Sequence, residues 1–239
     1  MQADGGTRLT MVSKERKRLF RRVSSVMLVV GGILLAYPFW SGAYAWVQQD
    51  RIDDEYAAEV REFRVEQRQS PVPASPEQTP EERLGRLADS FAARLEPGKP
   101  LGRLQIPRIE LDTKVLEGAR KPPSFGRGTD QGLLRSAPVH YGLTPLPGQG
   151  RPFAVAGHRT TYGAPFLHLD ELRPGDSMTV TTPYARIEYA VAKKTVVKPS
   201  DITVLYDRGY DLVLTTCHPP YSARSRLIVW AQIESFELR

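Results

Sequence analysis

A run of 25 residues without a charged side chain, from Val23 to Val47, limits what the beginning of this chain can fold into. At about 1.5 Å per residue, a helix of this length reaches roughly 37 Å, which exceeds a hydrocarbon core of ~30 Å. Trp40, Tyr44 and Trp46 lie at its far end, where amphipathic rings favour the boundary between membrane and water. The run therefore predicts a transmembrane helix.

The residues on either side of this run indicate its orientation. The basic stretch 14–22 precedes it and the acidic stretch 50–55 follows it. Because Lys and Arg stay on the cytoplasmic side, we expect a single-pass cell-membrane protein with a cytoplasmic tail over 1–22, an anchor over 23–47 and the rest outside. A cleaved signal peptide is the alternative, since Ala43-Tyr44-Ala45 resembles a cleavage site, but the run is longer than the 7–15 residues of an ordinary apolar signal region. Both interpretations export the remainder.

The formal net charge of +6 does not indicate nucleic-acid binding. Residues 1–22 alone carry a net charge of +5, which leaves +1 for the rest of the chain. The basicity therefore reflects membrane topology, with possible attraction to anionic lipid headgroups, and we expect no nucleic-acid partner.

A spacer is predicted over 48–99. Its charged part, 50–69, is typical of a solvated helix or a flexible stalk, and 70–80, with four prolines in eleven residues, of an extended segment. A helix is predicted over 80–95, because Thr79 can cap it, Pro80 suits its first position and Glu82 completes a capping box. Its apolar stripe is expected to pack on the domain that follows; it consists of Leu84, Leu87, Phe91 and Leu95.

Over 100–239 the sequence consists of short apolar runs separated by Gly and Pro. This pattern predicts one all-β domain, a sandwich or a barrel. The predicted strands are 102–106, 113–116, 153–156, 177–181, 186–197, 212–216 and 227–233.

Three of these strands begin or end at a residue that could take part in thiol chemistry. Cys217, the one cysteine of the chain, follows a strand, His158 follows another, and Arg226 opens a third. Antiparallel pairing of the last two strands would bring Arg226 back beside Cys217. A cation helps to activate a thiol and an imidazole can move its proton. By spacing alone, Cys217 is either a buried apolar residue or a nucleophile, and both interpretations stay open.

Four other polar residues are alternative candidates for the base or the cation. His218 neighbours the thiol in sequence, but adjacent residues of an extended chain face opposite ways, so we predict a position on the pocket rim rather than a base. His140 and His168 lack a strand-end position and are predicted to be structural. Arg224 is the alternative to Arg226. The histidines and the cysteine lack the spacing of metal ligands, so no metal is expected.

The segment around the cysteine resembles the signature of the sortase family. Thr215-Thr216-Cys217, followed by Arg226, is similar to the sortase pattern Thr-Leu-x-Thr-Cys and its downstream arginine, although Val213 replaces the first threonine. The resemblance covers about 101–235 and is greatest to the actinobacterial class E sortases. The further stretches that carry it are 104–111, 115–118, 154–166 and 217–226.

This resemblance implies a closed or nearly closed β-barrel of about eight strands and a transpeptidase that needs no cofactor. The family's enzymes cleave a C-terminal sorting signal between Thr and Gly through a thioacyl-enzyme, and transfer the secreted protein to an amine of a peptidoglycan precursor or cross-bridge. The resemblance makes Cys217 the nucleophile, His158 the general acid/base and Arg226 the ligand of substrate and oxyanion. Resemblance to class E implies a Leu-Ala-x-Thr-Gly-like signal rather than Leu-Pro-x-Thr-Gly, and the latter is the alternative. Substrate contacts are expected from Tyr162, Thr216 and His218.

Two other functions stay open at this point. A non-catalytic extracytoplasmic binding module would bury Cys217 as an inert thiol. A hydrolytic cysteine protease would use the same residues without transferring to an amine. The order of His158 before Cys217 differs from that of papain-like enzymes, which disfavours that type of protease.

Overall fold

The computed structural model describes residues 5–73, 75, 77–120, 131–150 and 152–239. Residues 1–4 of the predicted cytoplasmic tail, and parts of the predicted spacer at 74 and 76, lie outside the described residues. The chain divides into two compact units, 1–41 and 42–239. Helix α1 spans Gly5–Gln69. From Phe20 onward it contains an 18-residue window with a mean hydropathy of 1.8, which makes it apolar enough to cross a membrane.

A closed barrel of eight strands forms the body of the second unit, which confirms the predicted barrel class. The strands follow one another around the barrel in the order β1-β2-β3-β4-β7-β8-β6-β5, and β5 closes the ring against β1. The β2–β3 and β4–β7 pairs are parallel and the others are antiparallel. The strands are β1 (Pro100–Ile106), β2 (Leu111–Leu116), β3 (Val139–His140), β4 (Phe153–Ala156), β5 (Ser177–Thr181), β6 (Ala185–Val197), β7 (Leu212–His218) and β8 (Ser225–Leu238).

Strand β3 is the one strand of this barrel that the sequence did not predict; a short helix at Gln131–Leu134 was not predicted either. It has two residues, joined to β2 through Leu116 and Val139 and to β4 through Val139 and His140. A strand this short has no alternation of apolar and polar residues by which it could be recognised. It nevertheless bridges two longer strands and completes the ring.

Helix α2 spans Pro80–Ala92 and begins where the sequence predicts. The Thr79 side chain accepts a hydrogen bond from the Glu82 amide and the Glu82 side chain accepts one from the Thr79 amide, so the capping box is confirmed. The helix ends three residues before the predicted position 95, because the last turn tightens into an i−3 hydrogen bond from the Arg94 amide to the Phe91 carbonyl. Its apolar stripe packs into the barrel's main core, as expected.

The helix predicted over 50–69 is confirmed and the alternative of a flexible stalk was wrong, because α1 continues to Gln69 and one of its faces packs on the barrel. Ile52 and Phe63 of this segment are buried. Arg94, just beyond α2, forms ion pairs with three glutamates on one face of α1, at N–O distances of 2.7–3.1 Å. These glutamates are Glu59, Glu62 and Glu66. Three of the charges that suggested a stalk thus pair with Arg94, and two apolar residues of the same helix are buried.

Candidate active site

The cysteine and the arginine lie directly opposite each other on neighbouring strands. In the antiparallel β7–β8 pair, Cys217 is in register with Arg226, which confirms the pairing predicted from the sequence. Directly opposite residues project to the same face, with Cβ atoms about 4.5–5.5 Å apart. Arg226 is 6% exposed, and its Nη1 donates to the carbonyls of Ala223 (3.0 Å) and Ser225 (2.9 Å). A fixed guanidinium therefore lies beside a half-buried thiol.

The histidine reaches the same place through the parallel β4–β7 pair. Ala156 at the end of β4 is in register with Thr215. One residue further, the Gly157 amide donates to the Thr215 carbonyl (3.1 Å), and the Thr216 hydroxyl donates to the Gly157 carbonyl (2.9 Å). His158 is the next residue. Because paired residues of parallel segments advance together, His158 comes alongside Cys217.

Strand alternation places these residues on the outer wall of the barrel. Leu212 and Leu214 of β7 point into the main core, whereas Val213 belongs to a separate buried cluster on the opposite face. Cys217 has the same parity as Val213, so the thiol faces outward. We call that cluster the outer-wall cluster; it consists of Ala154, Leu205, Val213, Ile228 and Trp230. The site therefore lies on the outer face of the barrel wall, on the same side of the sheet as this buried cluster.

His158 is half-buried, and its environment disfavours the imidazolium. Burial, and secondly repulsion by the Arg135 guanidinium, lower the pKa of His158 below its ordinary value. Its Nε2 is buried and makes no hydrogen bond to the part of the chain that the structure describes. A buried ring nitrogen without a partner is costly in a fold that has no use for it. A neutral imidazole with an unoccupied nitrogen is suited to exchanging a proton with a reacting group.

Tyr162 covers His158. The centroids of the two rings are 5.2 Å apart, with 36° between their planes. Tyr162 has a φ of 53°, and its other contacts include the Arg135 guanidinium, 5.9 Å from the ring centroid, and Tyr44 of α1, edge-on at 6.3 Å. The structure thus places this predicted substrate residue against His158, and it brings α1 to the same edge of the site.

The remaining predicted residues occupy different positions. Thr216 is buried and its hydroxyl donates to Gly157. His218 ends β7 opposite Ser225, at the rim of the site. Arg224 is exposed and precedes β8, so the register selects Arg226 where parity could not.

The two other histidines lie away from this group. His140 does end a strand, contrary to the sequence interpretation, but it is buried in a network of its own. Its Nδ1 is 2.7 Å from the Glu117 carboxylate and its Nε2 is 2.9 Å from the Thr144 hydroxyl. His168 is exposed and contacts Glu171 at 2.6 Å. No group of three or more His, Cys, Asp or Glu that could hold a metal ion occurs among the described residues.

Arg159 was missed by the sequence interpretation. It directly follows His158 and is 2% exposed. Its Nη1 contacts the carbonyl of Cys217 (3.4 Å) and Nδ1 of His218 (3.0 Å). The only signal in the sequence was its position beside a candidate histidine, since an arginine in a polar loop is usually a surface charge.

Comparison with known proteins identifies the family. A model of the sortase domain matches residues 104–234, more than half of the chain. The chain belongs to the sortase family. Sortases are cysteine transpeptidases, and Cys217, His158 and Arg226 all lie within the matched range.

Relatives of this sortase carry the class E name. Sortase SrtE1 of Streptomyces coelicolor is 29% identical over 153 residues, which are 58% of this chain and 41% of that protein, so the chain spans less than half the length of that relative. The crystal structure of Sortase E1 from the same organism, with a tripeptide in its active site, gives a TM-score of 0.50 at 31% identity and covers 61% of this chain and 94% of that one. Sortase E from Streptomyces avermitilis gives a TM-score of 0.50 at 35% identity, covering 60% and 93%. The resemblance to class E sortases is thereby confirmed.

Proposed function

We propose that this sortase is a membrane-anchored transpeptidase of class E type. It cleaves a C-terminal sorting signal, Leu-Ala-x-Thr-Gly or Leu-Pro-x-Thr-Gly, between Thr and Gly, and it transfers the secreted protein to a cell-wall amine. The observation that carries this proposal is the β4–β7–β8 register, which assembles a thiol, an imidazole and a guanidinium from three separate segments.

The chemistry requires one role from each side chain. The Cys217 thiol gives its proton to His158 and its sulfur attacks the threonine carbonyl carbon, and the resulting oxyanion is stabilised by the Arg226 guanidinium. The C–N bond then breaks, a C–S thioester remains, and His158 delivers a proton to the departing glycine amine. In the second half an incoming amine attacks the thioester, loses a proton to His158 and releases the thiol. The unpartnered Nε2 of His158 supports this use of the ring.

The outward position of Cys217 on β7 supports binding of the signal peptide outside the barrel. Tyr162 next to His158 suits contact near the scissile bond. Thr216 contributes through the backbone, since its hydroxyl donates to the Gly157 carbonyl, and His218 contributes at the rim. We propose these three residues as the substrate-binding part of the site.

The membrane-facing part of the proposal rests on α1. Its apolar residues between 23 and 47 are largely exposed, as those of a helix in lipid are. With the basic residues before it, this indicates an N-terminus in the cytoplasm and a catalytic domain outside. The units we propose are a tail (1–22), an anchor (23–47), a spacer (48–99) and a catalytic barrel (100–239). A protease-accessibility assay on sealed vesicles tests this orientation: external protease is expected to remove the barrel from right-side-out vesicles.

Mass spectrometry of products tests the activity. The full chain in detergent is incubated with either signal peptide and a set of amines, such as triglycine or a diamino-acid peptide. We expect cleavage between Thr and Gly and a new amide with one of the amines, and both should vanish in Cys217→Ala with thermal stability retained. Ser177→Ala, at an exposed position of β5, is a matched surface control. Transfer activity in Cys217→Ala would contradict the proposal.

The same experiment separates the two alternatives. Cleavage without amine capture would favour a hydrolytic protease. A Cys217 thiol that resists alkylation until the protein is denatured would favour a binding module without catalysis.

A further inference from the structure

The loop after His158 and the end of β7 are joined twice, once on each side of the catalytic pair. One residue before the pair in each segment, the Thr216 hydroxyl donates to the Gly157 carbonyl. Just after His158, the Arg159 side chain contacts the backbone of Cys217 and the ring of His218. Residues 157 and 159 thus connect to residues 216 and 217–218, and they bracket the pair of His158 and Cys217.

Arg159 is held from four directions. Besides Cys217 and His218, its Nε donates to the Leu167 carbonyl (3.2 Å). Its Nη2 lies 2.7 Å from an Asp170 carboxylate oxygen, an ion pair whose angles are not those of a hydrogen bond. A planar guanidinium with five N–H groups can engage several acceptors in a fixed geometry, whereas an ammonium acts as a point charge. The side chain therefore ties the loop after His158 to the segment that carries the nucleophile.

The contact with His218 also restricts which histidine can act as the base. A guanidinium only donates, so Nδ1 of His218 must accept, and a neutral ring then carries its proton on Nε2. His218 cannot take a proton on Nδ1 without breaking this contact. Nε2 of His158, in contrast, has no hydrogen-bond partner among the described residues.

We propose that Arg159 is a positioning residue of this sortase: it sets the separation between His158 and Cys217 and withholds His218 from proton transfer. This inference rests on the proposed transpeptidase function, because it assigns the roles of base and nucleophile. A positioning error of about 1 Å can cost 10²-fold in rate, which is the scale on which the loss of such a contact should act.

The test compares Arg159→Lys and Asp170→Asn with the unaltered full chain in detergent. Lysine keeps the charge but cannot serve four acceptors, and Asp170→Asn weakens the anchor from its exposed end, where the carboxylate side chain is 47% exposed. Arg186→Lys is the matched control, because Arg186 forms an exposed ion pair with Glu188 at 3.0 Å. For each protein we measure thermal unfolding, kcat and KM for peptide cleavage, and the pH profile of Cys217 alkylation by iodoacetamide.

We expect Arg159→Lys to lower kcat about 10- to 100-fold with little change in KM, and to displace the pH profile of alkylation. Asp170→Asn should change kcat and the alkylation profile in the same direction but less. Arg186→Lys should change neither kcat nor the profile. Unchanged kcat and an unchanged alkylation profile in folded Arg159→Lys would overturn the proposal, even if its thermal stability fell. If Arg159→Lys does not fold, the same two readouts on Asp170→Asn decide.

The alkylation profile needs no substrate, so it separates two kinds of failure. If the unaltered chain neither cleaves nor transfers any peptide, the proposed function is wrong. The profile of Arg159→Lys would still show whether Arg159 controls the surroundings of the thiol.

Discussion

Replacing Phe63 by alanine tests whether the charged part of α1 is a structural element of the barrel. Phe63 is 2% exposed and belongs to the main core. Its ring packs edge-on against Phe91 of α2, with centroids 5.4 Å apart, and against Tyr184 at 6.4 Å. It therefore joins α1, α2 and the turn between β5 and β6.

The expected loss follows from this burial. Truncation of a fully buried phenylalanine to alanine costs about 3–5 kcal/mol, including the cavity that remains. In a domain of this size each kcal/mol lowers the melting temperature by about 2–4 °C, so Phe63→Ala should lower it by roughly 6–20 °C. Val65→Ala on the same helix is the control. Val65 is 49% exposed, and its truncation should change stability by about 0.5 kcal/mol or less.

Thermal unfolding of the full chain in detergent, followed by near-ultraviolet circular dichroism, measures both variants. Hydrogen exchange of the amides over 50–69 adds a local readout, because an undocked helix exchanges faster than a docked one. Equal melting temperatures for Phe63→Ala and Val65→Ala, with equal exchange over 50–69, would refute the docking of α1 on the barrel.

Three further predictions concern the histidines. Arg135→Gln should raise the pKa of His158, because it removes a repulsive charge, although burial keeps that pKa below 6.5; a ¹³C-edited NMR titration measures it, and an unmoved midpoint would contradict the assigned cause. Tyr162→Ala should also raise the pKa of His158, by admitting water to a ring whose neutral form burial now favours. Because the pKa of His158 is lowered in the folded state, the unfolded chain binds more protons, and the stability due to neutral His158 is lost as the pH falls below 6.5. Arg135→Gln and Tyr162→Ala should each lose less stability over this pH range than the unaltered chain. Glu117→Ala should cost at least about 1–3 kcal/mol in urea unfolding, because it leaves the buried His140 Nδ1 without its partner, whereas Glu117→Gln should cost less; equal losses would show that the contact is dispensable.

The sequence predicted the parts of this structure that depend on local patterns. Seven of the strands, the start of α2 and the pairing that returns Arg226 to Cys217 all follow from alternation, capping and hairpin geometry. Strand β3 escaped because two residues carry no period.

The parts that escaped prediction depend on partners far away in the chain. The charges of 50–69 indicate solvent exposure unless one knows that Arg94 lies opposite three of its glutamates. From the sequence alone Arg159 resembles a surface residue, because the acceptors around it come from distant positions. One of them, Nδ1 of His218, is 59 residues away in the chain. Local sequence indicates the candidates for reactive residues, whereas the contacts that position them are set by the closed barrel.

The two strand pairings that build the site differ greatly in chain separation, and this has a consequence for how the enzyme matures. Cys217 and Arg226 meet across a short hairpin, whereas the contact of Gly157 with Thr216 closes a loop of 59 residues. By the logarithmic dependence of closure entropy on length, the long loop costs about 1.7 kcal/mol more to close than one of about nine residues. We therefore expect the hairpin to form first and His158 to join it last. Until the barrel closes, the thiol would lack its proposed proton acceptor, so the chain would remain catalytically silent while it folds.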